Sequence, residues 1–407
     1  MTERPVRAKP DYPLLAFVTA LVVIGLQLVY SSTFALAIEE YDNVLYFLLR
    51  QAIWASIGAV AMLLLTRMDY RWLKPLSPVF LGLASMALVI SLLPQFSVEQ
   101  YGASRWLRLG PLPPVQPSEF LKLAVVISLA AWLSSPARHP SRFRQGLLPP
   151  LVFLGLLTLA IMRQPDLGTA LVILATACTM LFLAGIDLKS LVILLMGGGA
   201  AGYVIMSQAA YRADRLASFV DPWRDPTGVG FHIIQLLIAL GSGGVFGLGI
   251  GASRQKFFYV PGAHTDGIFA ILGEETGFIG CLLVMLLYAG LVYRGARIVQ
   301  QTKEPFGQLL GAGIVSWLAY QTLINIGGIT HSIPLTGIPL PFLSYGGSSL
   351  AAGLAAVGIL LSISRRQESE APERPHDRAR GRRATAETGS FAHAYAPVHH
   401  GPPGGAA

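Results

Sequence analysis

Charge is what this sequence has least of. Only 13% of its 407 residues are Asp, Glu, Lys or Arg, about half the share of an ordinary soluble domain. So little charge cannot solvate a globule of this length. With 53% of the chain hydrophobic, a disordered polymer and a charged coiled-coil rod are excluded as well. Cysteine is almost missing. Cys178 and Cys281 each lie inside an apolar run, so neither a disulfide framework nor a thiolate metal cluster is available. The segment 325–349 carries no Walker or Rossmann glycine pattern. The net charge of +8 is scattered in short clusters rather than gathered into the stripe nucleic acid requires. What the chain has instead is long apolar runs, with many of its 43 Gly and 27 Pro inside or beside them, as membrane helices tolerate.

Runs approaching the ~20 residues of a bilayer span occur at 14–30, 45–65, 76–93, 120–133, 147–162, 167–186, 188–206, 267–293, 307–329 and 344–363. The expectation is an all-α polytopic membrane protein with ten transmembrane helices, its membrane domain covering residues 14–364. Taking alternate connections, 20 of the 30 Lys and Arg fall on the side of the termini, so the positive-inside rule places both termini in the cytoplasm. The segment 229–250 is apolar enough for another span, but counting it would send Arg294, Arg297 and the Arg-rich tail outside. Its glycines, Gly241, Gly243, Gly244, Gly247, Gly249 and Gly251, predict a broken helix packed on the bundle within a large outer loop, about 207–266, between helices 7 and 8. Residues 1–13 form a cytoplasmic N-terminus whose basic residues, with the following apolar run and Ala35-Leu36-Ala37, imitate a cleavable signal peptide; retention as the first span is the favoured reading, with cleavage as its alternative. Residues 365–407 have too few apolar side chains to pack and read as a disordered cytoplasmic tail, His393, His399 and His400 included.

Ionisable groups within apolar spans are costly unless paired or hydrated, so each is a functional candidate. Glu119 and Lys122 follow Pro117 at i,i+3 spacing and share a helix face, as a structural ion pair or a functional one. Asp266 stands at the start of an apolar helix, where capping is the common fate of an Asp. Arg105, Arg108, Arg212, Arg215, Arg254 and Lys256 share its outer face, and cations beside a carboxylate at the lipid interface suit a phosphate-bearing lipid. Glu274 and Glu275, two turns further in, must be protonated, paired or hydrated. His264 has no second histidine at metal spacing, which favours hydrogen bonding over ligation. Asp166 reads as a turn and cap. The uncharged segment 325–349, dense in Pro, Gly, Ser and Tyr, cannot be helical throughout and is expected to shape or close a groove.

Several stretches occur in a telling order: Gly102-Ala103-Ser104-Arg105-Trp106, Gln116-Pro117-Ser118-Glu119, Gln164-Pro165-Asp166-Leu167-Gly168-Thr169, Asp221-Pro222-Trp223, Gly241-Ser242-Gly243-Gly244, His264-Thr265-Asp266, Gly273-Glu274-Glu275, and Pro339-Leu340-Pro341 with Ser344-Tyr345-Gly346-Gly347-Ser348-Ser349. Together they resemble the SEDS proteins, the FtsW/RodA/SpoVE group of bacterial cell-wall polymerases, and look most like the division-type branch. The resemblance implies a multi-pass protein of the bacterial cytoplasmic membrane, at the division septum, that polymerises lipid II into glycan strands on the outer leaflet. It implies an inverting transfer with Asp266 as general base and undecaprenyl diphosphate as leaving group. Glu119, Lys122, His264 and Thr265 would support Asp266; Arg105, Arg254 and Lys256 would bind the diphosphates; Ser344, Tyr345, Gly346, Gly347 and Ser348 would line the groove. A divalent cation, Mg or Mn, is compatible with such chemistry. The implied partners are lipid II, the growing glycan strand, a class B penicillin-binding protein and other divisome membrane proteins, with no nucleic acid. Two positions depart from the family pattern: Gly262 stands where Glu is usual and Gly267 where Phe is usual, which removes an acidic group and predicts a looser helix start. A lipid II flippase, and a non-catalytic scaffold in which Asp266 only caps its helix, are the competing readings.

Overall fold

The structure, a computed structural model, describes residues 9–100, 103–108, 113–136, 143–207, 218–257 and 259–370. Gly102, Arg212, Arg215 and most of the expected tail, 371–407, lie outside the described residues. The apolar runs are helices because a backbone in hydrocarbon must satisfy its own N–H and C=O groups. In chain order they are α1 (Tyr12–Tyr41), α2 (Tyr46–Arg67), α3 (Leu73–Ile90), α4 (Pro117–Leu133), α5 (Leu148–Met162), α6 (Leu167–Leu183), α7 (Leu188–Ser207), α8 (Phe231–Ser242), α9 (Ile268–Gln301), α10 (Pro305–Ile329) and α11 (Gly347–Glu370). Among the described residues, seven helices are long and apolar enough to cross a membrane. Each of the ten expected runs coincides with a helix, while the rejected segment 229–250 contains only the 12-residue α8, about 18 Å long and short of a ~30 Å hydrocarbon core.

Two details correct the expectation. The fold is not purely helical: β1 (Ser97–Gln100) and β2 (Ala103–Leu107) form an antiparallel hairpin with Val98 opposite Trp106, extended by a bridge from Leu107 to Val115. The segment follows an apolar run that has already ended, and its β-branched and aromatic residues suit a pleated ribbon. The last helix also continues past residue 364 to Glu370, with Arg366 paired to Asp69 at 2.9 Å.

Local chemistry sets the ends of these helices. Asp11 accepts from the Leu14 N–H at 2.9 Å and starts α1. Asp166 accepts from the Thr169 N–H at 3.1 Å and from its hydroxyl at 2.9 Å, the turn and cap expected of it. Pro117 opens α4, where its missing N–H costs nothing. α10 and α11 are buried along most of their length, and α2 grips α11 through Gly58 and Gly358, small residues that let the backbones approach.

α9 is interrupted at Gly277, whose φ of 68° and ψ of −166° leave the helix. The glycine-rich segment after α8 docks into the break. Leu248 and Gly249 donate to the carbonyls of Glu274 and Glu275 at 2.9 and 3.0 Å, and Phe278 and Ile279 donate to Gly244 and Val245 at 2.9 and 3.2 Å. A side chain on Gly277 would run into the Gly247 amide and the Val245 carbonyl. Irregular backbone here is thus satisfied by other backbone, as an apolar surrounding demands.

Candidate active site

Asp266 lies in a tight turn just before the N-terminus of α9. Gly262, at φ +65°, lets Thr265 and Gly267 both donate to its carbonyl, at 2.9 and 3.2 Å. Gly267 is the N-cap of α9 and the helix takes no side-chain cap, so the Asp266 carboxylate is not consumed by capping. The Thr265 hydroxyl lies 3.0 Å from Asp266 Oδ1 and 3.0 Å from the Gly262 carbonyl and can donate to either. The turn before the helix is thus closed by its own amides.

Gly262 has a further consequence. A Cβ there would sit 2.7 Å from Asp266 Oδ1 and 2.8 Å from Thr265 Oγ1, closer than side-chain atoms tolerate. Gly262→Ala is therefore expected to push the carboxylate aside and slow any turnover that depends on it about 100-fold, the scale of an ångström-sized misplacement. Initial rates beside a melting curve check this: a rate within twofold of wild type in folded protein would contradict it.

A polar network under Asp266 joins α4, α10 and the segment between α10 and α11. Asn325 Nδ2 donates to the Asp266 carbonyl at 3.0 Å and to the Ile338 carbonyl at 2.8 Å. One turn away, Gln321 Nε2 donates to the Pro339 carbonyl at 2.9 Å, and Gln321 Oε1 accepts from Lys122 at 2.7 Å and from the Trp317 indole at 2.8 Å. Lys122 also pairs with Glu119 at 2.9 Å, both almost fully buried. Glu119 and Lys122 thus join Asp266 through Gln321, the Pro-rich segment and Asn325, rather than by touching it. Gly337 lies against the carboxylate itself, its notional Cβ 3.5 Å from Asp266 Oδ2.

That Pro-rich segment is pinned from several sides. Gln51 of α2 donates to the Ser344 carbonyl at 3.0 Å, the Ser344 hydroxyl accepts from the Leu340 amide at 2.8 Å, and Tyr288 donates to the Pro341 carbonyl. The Tyr345 amide donates to the His264 carbonyl at 2.8 Å. Ser348 accepts from the Gln116 amide at 3.0 Å. Gly347 faces Trp54 so closely that a side chain would overlap the indole, while a Cβ on Gly346 would meet Ser349 at an ordinary 3.6 Å. The His264 ring packs among Phe47 and Tyr345, with centroids 5.5 Å from each. Burial pulls its pKa down to about 4 against the opposing pull of Asp266, so the imidazole is neutral at physiological pH and adds no cation to the site. Packing, not the expected side-chain hydrogen bonding, is what the geometry gives His264.

The three expected diphosphate ligands differ in availability. Arg254 is exposed. Arg105 spends Nε and Nη2 on the carbonyls of Gln164 and Pro165, at 2.9 and 2.5 Å, which fixes the hairpin to the α5–α6 turn and leaves its other N–H groups to bind. Lys256 departs from the expectation: it points inward and pairs with Glu275 at 3.1 Å, both side chains 1% exposed. Its ammonium also donates to the Gly251 carbonyl at 2.6 Å and reaches Ser31 Oγ at 3.3 Å. Glu274 solves its own burial differently, accepting from Ser253 Oγ at 2.5 Å and from the amides of Arg254 and Gln255 at 2.9 and 3.3 Å. So one glutamate is paired and the other is a backbone acceptor that holds the turn carrying Arg254.

Sequence reasoning passed over Gln51 and Gln321, although an amide inside an apolar run is itself a signal of a buried hydrogen-bond role. Among the described residues, no group of three or more His, Cys, Asp or Glu could hold a metal ion.

With this geometry in hand, comparison with known proteins gives the class. The FtsW/RodA/SpoVE family model, described as cell cycle protein, matches residues 12–369, and the chain belongs to that family. It is 43% identical over 359 residues to stage V sporulation protein E of Bacillus subtilis, covering 88% of this chain and 98% of that protein. It is 41% identical over 365 residues to the probable peptidoglycan glycosyltransferase FtsW of Trichlorobacter lovleyi, covering 88% and 93%. Among solved structures, it is similar to a chain of a peptidoglycan synthase complex that coordinates polymerization and crosslinking, with TM-score 0.72, 29% identity and coverage of 88% and 98%. It is also similar to the rod shape determining protein RodA of Thermus thermophilus, with TM-score 0.64, 28% identity and coverage of 88% and 97%.

Proposed function

We propose that this multi-pass membrane protein is a peptidoglycan glycosyltransferase that polymerises lipid II at the outer face of the cytoplasmic membrane, with Asp266 as general base. The observation that carries this reading is the Asp266 carboxylate itself: half-buried at the outer end of α9, free of any capping duty and within hydrogen-bond reach of Thr265. In the reaction the acceptor sugar's 4-hydroxyl gives its proton to Asp266 while its oxygen attacks the donor's anomeric carbon. The bond to undecaprenyl diphosphate breaks with its electron pair, and the α-linked donor becomes a β-linked product in one inverting displacement. Positive charge near the leaving group is supplied by Arg254 and by the uncommitted N–H groups of Arg105. Glu119, Lys122 and Gln321 hold the Pro-rich segment, and Asn325 ties that segment to Asp266.

The same reading has ten spans, both termini in the cytoplasm, an outer loop at about 207–266 and a cytoplasmic tail. It places the enzyme at the septum, in division or sporulation, beside a class B penicillin-binding protein and other divisome proteins. The likeness to a chain of a complex coordinating polymerization and crosslinking supports such a partner. Arg254→Ala is expected to raise KM for lipid II about tenfold, the worth of a charge-assisted contact, with a smaller change in kcat. Steady-state kinetics with the cognate partner check it, and an unchanged KM would remove Arg254 from diphosphate binding.

A further inference from the structure

Beyond His264, Phe47 and Tyr345, the ends of α1 and α2 that meet carry further rings in one array. Tyr41 stacks on Tyr46 with centroids 3.6 Å apart and planes 11° from parallel. The Arg50 guanidinium covers the other face of Tyr46 at 4.5 Å. Phe47 stands edge-on to both tyrosines, at 5.6 and 5.2 Å, and continues to Tyr345 at 5.3 Å and His264 at 5.5 Å. The array therefore runs without a gap from the exposed surface to the residue two positions before Asp266. Tyr41, at its outer end, is 44% exposed. Beside it, the exposed Glu39, Glu40 and Asp42 close the last turn of α1.

We propose that this array is a subsite for the glycan strand, binding sugars removed from the reacting bond; the proposal rests on the polymerase reading above. A pyranose ring offers an apolar C–H face and a rim of hydroxyl donors. The exposed tyrosine face matches the first through its negative quadrupole, and the neighbouring carboxylates, which only accept, match the second. Three carboxylates repel a diphosphate, so the occupant is the uncharged backbone of the strand and not the lipid-linked end. The array also starts at the catalytic turn, where a polymer must begin and from which it must find a surface to follow.

Two arms test this. In Asp266→Asn protein, whose turnover is expected to be strongly slowed, binding of a soluble N-acetylglucosamine tetramer is measured by calorimetry. Saturable binding, about fivefold weaker in Asp266→Asn/Tyr41→Ala and retained in Asp266→Asn/Tyr41→Phe, is expected from the loss of one stacked ring. In otherwise wild-type protein with its partner, Tyr41→Ala is expected to shorten the glycan strands while the initial rate of lipid II use stays within twofold, and Tyr41→Phe to restore their length. No tetramer binding, equal binding without the ring, or strands of unchanged length would each overturn the subsite. The last result would leave the tyrosines as interfacial anchors in lipid. If the wild type makes no polymer, the polymerase reading fails, and the tetramer arm still decides whether the array binds sugar.

Discussion

Lys256→Ala is expected to destabilise the protein by about 3–5 kcal/mol, because it strands Glu275 as an unpaired charge in the interior. The pair sits where three parts of the chain meet: Ser31 of α1 donates to Glu275 at 2.5 Å, Lys256 donates to the Gly251 carbonyl at 2.6 Å, and Phe34 lies under the ammonium at 5.0 Å. Water cannot take over these contacts. Lys256→Met combined with Glu275→Gln is expected to recover much of the loss, since it removes both charges together. Thermal unfolding of the purified single and double variants reads this directly. A single variant as stable as wild type would show that the buried pair is not holding the glycine-rich segment against α1 and α9.

Asp266→Asn is expected to slow polymerisation by about 100- to 10,000-fold, the contribution of a positioned general base. Asparagine preserves the shape and can still face Thr265, but it cannot take the acceptor's proton. Because Asp266 caps no helix amide, the substitution is expected to leave stability nearly unchanged. That combination separates the catalytic reading from the capping one, in which the same change would weaken the start of α9 and leave the chemistry alone.

Much of this was legible in the sequence. The apolar runs announced the helices because hydrocarbon permits little else, and the order of the short motifs pointed to the family and to Asp266. What the sequence could not supply was the partner of each costly group. Glu274 and Glu275 are adjacent and equally expensive in an apolar run, yet one accepts backbone amides from 254 and 255 and the other takes Lys256. Their split depends on the break at Gly277 and the segment docked into it, a long-range pairing that leaves only scattered glycines as its mark. Lys256 illustrates the same limit, since its place among basic residues of the outer loop suggested a ligand for phosphate and its side chain turns inward. Gly262 read as a lost acidic group; in the folded turn it is the residue whose missing Cβ leaves the Asp266 carboxylate its space.

The central claim rests on one comparison: polymerisation of lipid II by the purified protein with its cognate penicillin-binding partner, for wild type, Asp266→Asn and Asp266→Ala, with transglycosylase-inhibitor controls. Glycan strands are expected from the wild type and almost none from the two folded, partner-binding variants. Strands made by Asp266→Asn at the wild-type rate, or no strands from the wild type itself, would contradict it, the first removing Asp266 as the base and the second returning the protein to a flippase or a scaffold.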